Sequence, residues 1–568
     1  MYLKKTKKPN GRIYLSIVEG RRDKETKNSR TISIQKVGYL DELEKDYTDP
    51  IAHFTLLAAE MSRTKLEEKA MLTITIDNTQ RVEGNERKNF GYVALSAIYH
   101  ELGIHRFLAS RQQSAGVKYN LNQIMRLLVF SRLLAPGSKK KAFENREWYF
   151  ERCDFSQTDM YRSLSKFAKY KEDLQLWMHK RIQDIYGRDT SIVYYDVTNY
   201  YFEIDEQDEL RRNGISKEHR PDPIVQMGLL MDNSGIPLAY QLFPGNSNDC
   251  TTLLPIIKRI RRQFDTGKAI VVSDKGLNTA KNAYYLANSR GGYVFSQTVR
   301  DGNAELKKYV LDERGYEYLE SGFKKKSRQH TRHVEFEDDN GKIVKATIAE
   351  KQVVFYSPEY ARRAKADRAN AVRKAHAIVQ NPKNFNKKNS YGAAKYIRQI
   401  EYDKKTGEII TPRSELAFNN KALEEDEKYD GYYVIVTSRH DALDDWVIDT
   451  YRELWRIEEA FKVTKSDLGA RPVHVSRQDH IEAHFLICFL ALVIIRLLQK
   501  NLNHAFSSGK ILKSLANSCC SLVKNNVHMF DYNDDVLKAV GALLDVDFGQ
   551  KYRTQADIKN VAANVKTI

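Results

Sequence analysis

Cysteine is scarce in this sequence, with five in 568 residues. Cys153, Cys250, Cys488, Cys519 and Cys520 form no C-x-x-C pair and join no histidines at zinc spacing. That excludes a disulfide-stapled secreted scaffold and a zinc-ribbon site, and the five read as reduced core thiols of a cytosolic protein. Long apolar runs are also lacking. The most apolar stretch, FLICFLALVII at 485–495, is too short to span a bilayer and is closed by Arg496, so a buried core helix is expected and no membrane. The N-terminus, MYLKKTKKPN, has no apolar segment of the secretory type.

Positive charge is abundant and unevenly spread. Lys and Arg number 92 against 74 Asp and Glu, a net +18. Residues 1–40 hold eleven basic and three acidic side chains, and residues 351–400 hold twelve and two, so these two segments carry the whole excess. Two basic segments on an otherwise balanced chain point to a polyanionic partner, most often nucleic acid. At this length, and 42% hydrophobic, the chain is expected to build about three or four domains.

The texture changes along the chain. GRIYLSIVEG and SRTISIQKVGYL alternate with period two around RDKETKN and predict a basic hairpin in a region 1–48. A helical region, 49–188, follows; LNQIMRLLVFSRLLAPG stops at Pro136-Gly137, and Ser156 with Asp159 forms a capping-box pattern. These helices could present a recognition helix to DNA, and packing alone explains them equally well. Over 189–300, SIVYYDVTNYYFE, PIVQMGLLMDN, IPLAYQLFPGN, AIVVSDKGL and GYVFSQTV read as strands, with a tight turn at Ser234-Gly235 and a crossover helix, TTLLPIIKRIRRQF, which describes a mixed α/β sheet. Residues 301–445 read as a β-rich basic insertion carrying an Ala/Arg helix. The core resumes over 446–500, and 501–568 reads as a helical tail.

Asp196 ends the run IVYYD and Asp274 ends IVVSD. Aspartate is a poor strand residue, and beside a buried run it is costly unless paired or bound to a cation. Two such strands in one sheet, with a glutamate from a helix, would offer three oxygen ligands to Mg²⁺ or Mn²⁺. A pair of such ions roughly 3.5–4 Å apart can activate water and stabilise the leaving oxygen of a phosphodiester. The helix is YRELWRIEEAFKVTK, 451–465, where steps of four and three put Tyr451, Trp455, Glu458, Lys462 and Lys465 on one face. Spacing alone leaves Glu453, Glu458 and Glu459 open as the third ligand. Plainer readings are a Glu458–Lys462 pair on a solvated helix, a turn-capping Asp196 and a capping Asp274 before Asn278.

In combination these blocks resemble the DDE transposases of bacterial insertion sequences, in the insertion sequence 4 superfamily and its 1634-like branch. The family's third block runs Tyr, two residues, Arg, three residues, Glu, six residues, Lys. Tyr451, Glu458 and Lys465 match it, and the Arg position is Leu454, with Arg452 and Arg456 nearby. ISKEHRPDPIVQMGLLMDNSGIPLAYQLFPGNSND, SDKGL, RPVHVSRQDHIEAHFLICFLAL, GYLDEL and GYVALSAIYHELGI extend the likeness over most of the chain. The resemblance implies a ribonuclease H-like core, interrupted by a β-rich insertion in the 184 positions from Asp274 to Glu458. It makes Asp196, Asp274 and Glu458 the catalytic ligands of two Mg²⁺ or Mn²⁺ ions. The implied reaction is hydrolysis at transposon ends, then attack of the freed 3′-hydroxyl on target DNA. Its partners would be double-stranded DNA, both terminal inverted repeats and target, and a second copy of the chain on paired ends, at the nucleoid in a prokaryotic cytoplasm.

DNA contacts are expected from Tyr451 and Lys465 near the cleaved bond, from Lys462, Arg452 and Arg456 on the same helix, and from Arg362, Arg363, Lys365 and Arg368 on the basic helix. His219 and Arg220, beside Lys217, form a loop that either meets DNA or is merely solvated. Trp446 is expected to pack at a strand-to-helix junction and Trp455 to anchor its helix to the sheet. His474, His480 and His484 lack further ligands for zinc. A nuclease of the same fold that cuts without joining, and a DNA-binding derivative without catalysis, are the rival readings.

Overall fold

The structure is a computed structural model, and it describes residues 1–22, 29–70, 79, 81, 87–214, 221–264, 266, 268–319, 321–380, 392–401, 414–524 and 526–567. It divides into two units, 1–82 and 83–568.

In the first unit, β1 (Tyr2–Lys7), β2 (Ile13–Arg22) and β3 (Ser29–Tyr39) form an antiparallel sheet in that order. The expected hairpin is β2 with β3. β1 adds a third strand that the sequence hides, because YLKKTK offers few apolar residues to alternate. Leu15 and Ile17 of β2 are buried, and Arg12 bridges Asp41 (2.7 Å) and Glu42 (2.5 Å) in the short helix Leu40–Leu43. Helix Pro50–Ala70 follows.

The second unit opens with β4 (Lys88–Asn89). Helices Tyr92–Glu101, Leu121–Leu134 and Gln157–Lys169 then pack on helix Gln478–Asn501, which carries the FLICFLALVII run. That helix is long and apolar enough to cross a membrane, yet its apolar window is 94% buried, and it forms the axis of the helical core. The capping box at Ser156 forms as expected, the Ser156 hydroxyl accepting from the Asp159 N–H and the Asp159 carboxylate from the Ser156 N–H.

Among the described residues the central sheet has nine strands. β5 (Ile192–Tyr201), β6 (Ile224–Asp232) and β7 (Pro237–Pro244) form an antiparallel meander. Helix Asp249–Gln263 crosses over to bring β8 (Ile270–Ser273) parallel to β5, and helix Ala280–Ala287 brings β9 (Tyr293–Gln297) parallel to β8. In sequence order these five strands lie 3-2-1-4-5, the ribonuclease H arrangement.

Part of the insertion extends the central sheet, and part forms a small unit of its own. After β10 (Glu317–Tyr318), β11 (Lys324–Glu337) and β12 (Ile343–Tyr356) pair as a long hairpin. Helix Pro358–Gln380 follows, then β13 (Ile397–Glu401) and β14 (Ser414–Phe418), which pair with each other. The last inserted strand, β15 (Tyr432–Thr437), pairs antiparallel with both β9 and β12, so the sheet runs on unbroken. The tail contains helices as expected, and also β16 (Cys519–Lys524), β17 (Val527–Phe530) and β18 (Tyr552–Thr554), which complete a small sheet with β4.

Candidate active site

Val193, Tyr194 and Tyr195 are buried, β-branched or aromatic residues of the kind that fill a central strand. Tyr194 pairs with Val272 in the parallel β5–β8 ladder. Two residues further along each strand stand Asp196 and Asp274, so the two aspartates come level with each other at the carboxyl end of β8. Strands in a sheet lie about 4.8 Å apart, and open α/β sheets bind ligands outside such ends. β5 itself continues, with Asp196 opposite Leu229 of β6. Asp196 therefore does not cap a turn at a strand end; it lies inside a ten-residue strand, where β8 stops covering one edge. Asp274 does cap, its carboxylate accepting from the Gly276 N–H at 3.0 Å. The Ser273 hydroxyl donates to the Tyr195 carbonyl (2.9 Å), fixing the end of β8 against β5 beside both aspartates.

The chain facing them is not the single helix expected over 451–465. It is a helix Asp444–Arg452, a break at Glu453 and Leu454, a helix Trp455–Lys462 and a π turn over Val463–Asp467. Leu454, Ile457, Ala460 and Phe461 are buried in the same core as Tyr194 and Val272, so the second helix packs on the aspartates' face of the sheet. Glu453 pairs with Arg456 (2.5 Å) and Glu459 with Arg496 of the apolar helix (3.0 Å). Glu458 is exposed and, among the described residues, has no hydrogen-bond or ion-pair partner, the expected Lys462 included. Among the described residues, then, Glu453 and Glu459 each have a cationic partner and Glu458 does not. Trp455 corrects its expectation, being 54% exposed rather than an anchor. Trp446 is half-buried against the main core, as expected.

Tyr451 ends the first helix, half-buried and hydrogen bonded with the Ser296 hydroxyl on β9. Burial pushes its phenol up to about 12, and the negative charges of Asp274 and Glu458 add to the effect. Tyr451 thus lies within the field of both carboxylates. The backbone carbonyl of Ser296, a residue which nothing in the sequence marks, accepts from the Asn278 side-chain amide (3.0 Å), and the Asn278 side-chain oxygen in turn accepts from Arg332 (2.7 Å), bracing the loop after Asp274.

The cations differ in availability. Lys462 is exposed, and Lys465 lies half-buried over the ring of Tyr200 (5.6 Å), whose hydroxyl bonds Thr464 (2.9 Å). Arg452 is exposed, with the Phe323 ring 5.4 Å away. Arg456 donates to the Asn233 carbonyl (2.8 Å) besides pairing with Glu453, and so ties the helix to the β6–β7 turn. Gly235 makes that turn at φ +76°, where a Cβ would come within 3.2 Å of Arg456 Cδ. Leu454, at the family's Arg position, is buried.

On the basic helix, Arg362, Arg363 and Lys365 are exposed, Arg363 pairing with Glu359 (2.5 Å). Arg368 differs from its neighbours on the helix: it is buried, paired with Asp430 (2.5 Å) and Glu427 (3.4 Å), and clamps its helix to the chain before β15. Lys217, His219 and Arg220 lie outside the described residues.

Among the described residues no three or more His, Cys, Asp or Glu side chains are gathered closely enough to hold a metal ion. The chemistry of the candidate residues fits one: Asp196, Asp274 and Glu458 are all carboxylates, the hard oxygen ligands of Mg²⁺ and Mn²⁺, and the two aspartates are level on the sheet.

Family models match the chain in two places: the transposase DDE domain over residues 212–494, and the IS1634 family transposase N-terminal domain over residues 3–70. The chain belongs to the IS1634 family of DDE transposases. The transposase is accordingly a polynucleotidyl transferase that acts on DNA, and its domain type uses divalent metal ions. The first match spans Asp274 and Glu458 and begins after Asp196, whose place beside Asp274 follows from strand register. Among solved structures, a piggyBac transposase synaptic complex with hairpin DNA is similar at 7% identity and TM-score 0.38, over 84% of this chain and 85% of that one; so slight a likeness carries no argument. No curated protein matches the chain.

Proposed function

We propose that Asp196, Asp274 and Glu458 are the acidic trio of this transposase and hold two divalent ions, Mg²⁺ or Mn²⁺. The observation that carries this reading is the level placement of Asp196 and Asp274 on adjacent parallel strands, beneath a helix whose one unpartnered glutamate is Glu458. Ions held there would lower the pKa of water and polarise a phosphodiester. The chain's own residues do the positioning. Asp196 and Asp274 are fixed by the sheet, and Glu458 completes the set from the helix. Tyr451 keeps its phenolic proton across the physiological range and can donate it to a phosphate oxygen. Lys465, Lys462 and Arg452 supply positive charge along the same stretch, while Arg362, Arg363 and Lys365 extend it over the insertion.

With these groups the transposase would cleave at the terminal inverted repeats and join the freed 3′-hydroxyl to target DNA. It would act as a dimer on paired ends, in the cytoplasm at the nucleoid. The test supplies pre-cleaved 3′-hydroxyl ends and target DNA to the full chain with Mg²⁺. Joined product supports the reading. Hydrolysis with no joining would replace it with a nuclease, and unchanged joining by Asp274→Asn would remove the site assignment.

A further inference from the structure

Away from the acidic trio lies a cluster that the catalytic reading does not use. A cavity of about 230 Å³ is lined by Arg132, Lys139, Arg471, His474 and His484, and among the described residues no carboxylate lines it. Arg132, Lys139 and His484 are all more than nine-tenths buried. The His484 Nε2–H donates to the Ala470 carbonyl (3.0 Å), which leaves Nδ1 to accept from the Lys139 ammonium at 2.5 Å. Lys139 thus spends one of its three donors on a neutral imidazole. Arg132 uses its terminal nitrogens on the carbonyls of Gly137, Leu468 and Gly469, while its Nε is buried with no hydrogen-bond partner.

Buried charge is ordinarily paired, because removing it from water costs several kcal/mol per ion. Here two buried basic side chains, Arg132 and Lys139, adjoin each other instead. Burial, with Arg132 adding to it, brings the Lys139 ammonium down to about 7. An entering anion would reverse that, accepting the spare N–H donors and supplying the missing counter-charge.

We infer that this cavity is a phosphate-binding site that takes a backbone phosphodiester of the DNA on which the transposase acts. The inference rests on the DNA-transposase reading and deepens it. The ligand is phosphate-like because the lining offers several N–H donors and net positive charge with no partner for a cation or an apolar group. It belongs to DNA because the wall of the cavity, Gly469 to His474, directly follows the π turn that continues the Glu458 helix. Arg132 grips that wall at Leu468 and Gly469. A phosphate seated there would hold the strand close to the element carrying Glu458.

Full-length protein and a random-sequence duplex test this, since phosphate contacts are independent of sequence. Affinity is measured against salt for wild type and Lys139→Gln, with thermal melts to establish that both fold. The log–log slope should flatten by about 0.9 for the lost contact. An unchanged slope in a folded variant would overturn the inference. If Lys139→Gln does not fold, Arg471→Gln decides by the same slope. Should inorganic phosphate raise the melting temperature of wild type while both variants keep the wild-type slope, the cavity is a free-anion site and the assignment to DNA is wrong. The two proposals fail separately: an unchanged slope in folded Lys139→Gln overturns this inference alone, whereas joining that survives in Asp274→Asn overturns the acidic trio alone.

Discussion

Asp196 and Asp274 each stand two residues beyond a paired position, Tyr194 opposite Val272, and so share one height on neighbouring parallel strands. Single substitutions at this pair should therefore act alike. Asp196→Asn, Asp274→Asn and Glu458→Gln are each expected to slow strand cleavage by at least the roughly 10²–10³-fold that losing one preorganised electrostatic group costs. Duplex binding should stay near wild type. Single-turnover cleavage alongside a binding titration checks both halves.

Arg452 and Arg456 should part company although they flank the same break. Arg456→Ala releases the β6–β7 turn and is expected to lower stability by about 0.5–1 kcal/mol, its pair with Glu453 being partly exposed. Arg452→Ala should leave the melt alone and flatten the salt dependence of DNA binding by about 0.9. Melts and salt titrations on both variants distinguish anchor from phosphate contact.

Arg368→Ala should behave as a stability mutation. Removing one partner of a buried pair commonly costs about 3 kcal/mol or more, and the low end is expected because Arg300 still reaches Asp430 at 2.9 Å. Denaturant unfolding measures this, and Arg362→Ala, exposed on the same helix, is the matched control that should lose DNA affinity instead.

Lys139 gives a pH dependence with a definite sign. Burial lowers its ammonium from 10.5 to about 7 in the folded chain. Between those values the unfolded chain holds a proton that the folded chain has released, so this group makes stability rise with pH from about 7 to 10.5 and stay flat below. The rise should be absent from Lys139→Gln, as melts across that range would show.

The aspartates were legible because each interrupts an otherwise apolar strand, and a carboxylate in that position needs a reason. Glu458 was not separable from its neighbours, since what distinguishes it is that Arg456 occupies Glu453 and Arg496 occupies Glu459; the second of these contacts spans 37 positions. The break at Glu453 and Leu454 carries no Gly or Pro to announce it. Both residues keep right-handed helical angles, and the break is a local switch to i→i+3 hydrogen bonds that helix periodicity does not report. Arg368 and Arg362 look alike as letters on a basic helix, and only the position of Asp430 tells a clamp from a DNA contact. The ribonuclease H order of the first five strands was implied by resemblance, whereas the continuation of the sheet through β15 had no signal, because a strand pattern does not name its neighbour.

That continuation bears on any attempt to shorten the protein. With β15 held between β9 and β12, trimming away the long hairpin would bare a row of backbone N–H and C=O groups along a flat apolar strand. A pared-down enzyme of this design would be prone to stick to its own copies edge to edge, so truncation and solubility pull in opposite directions.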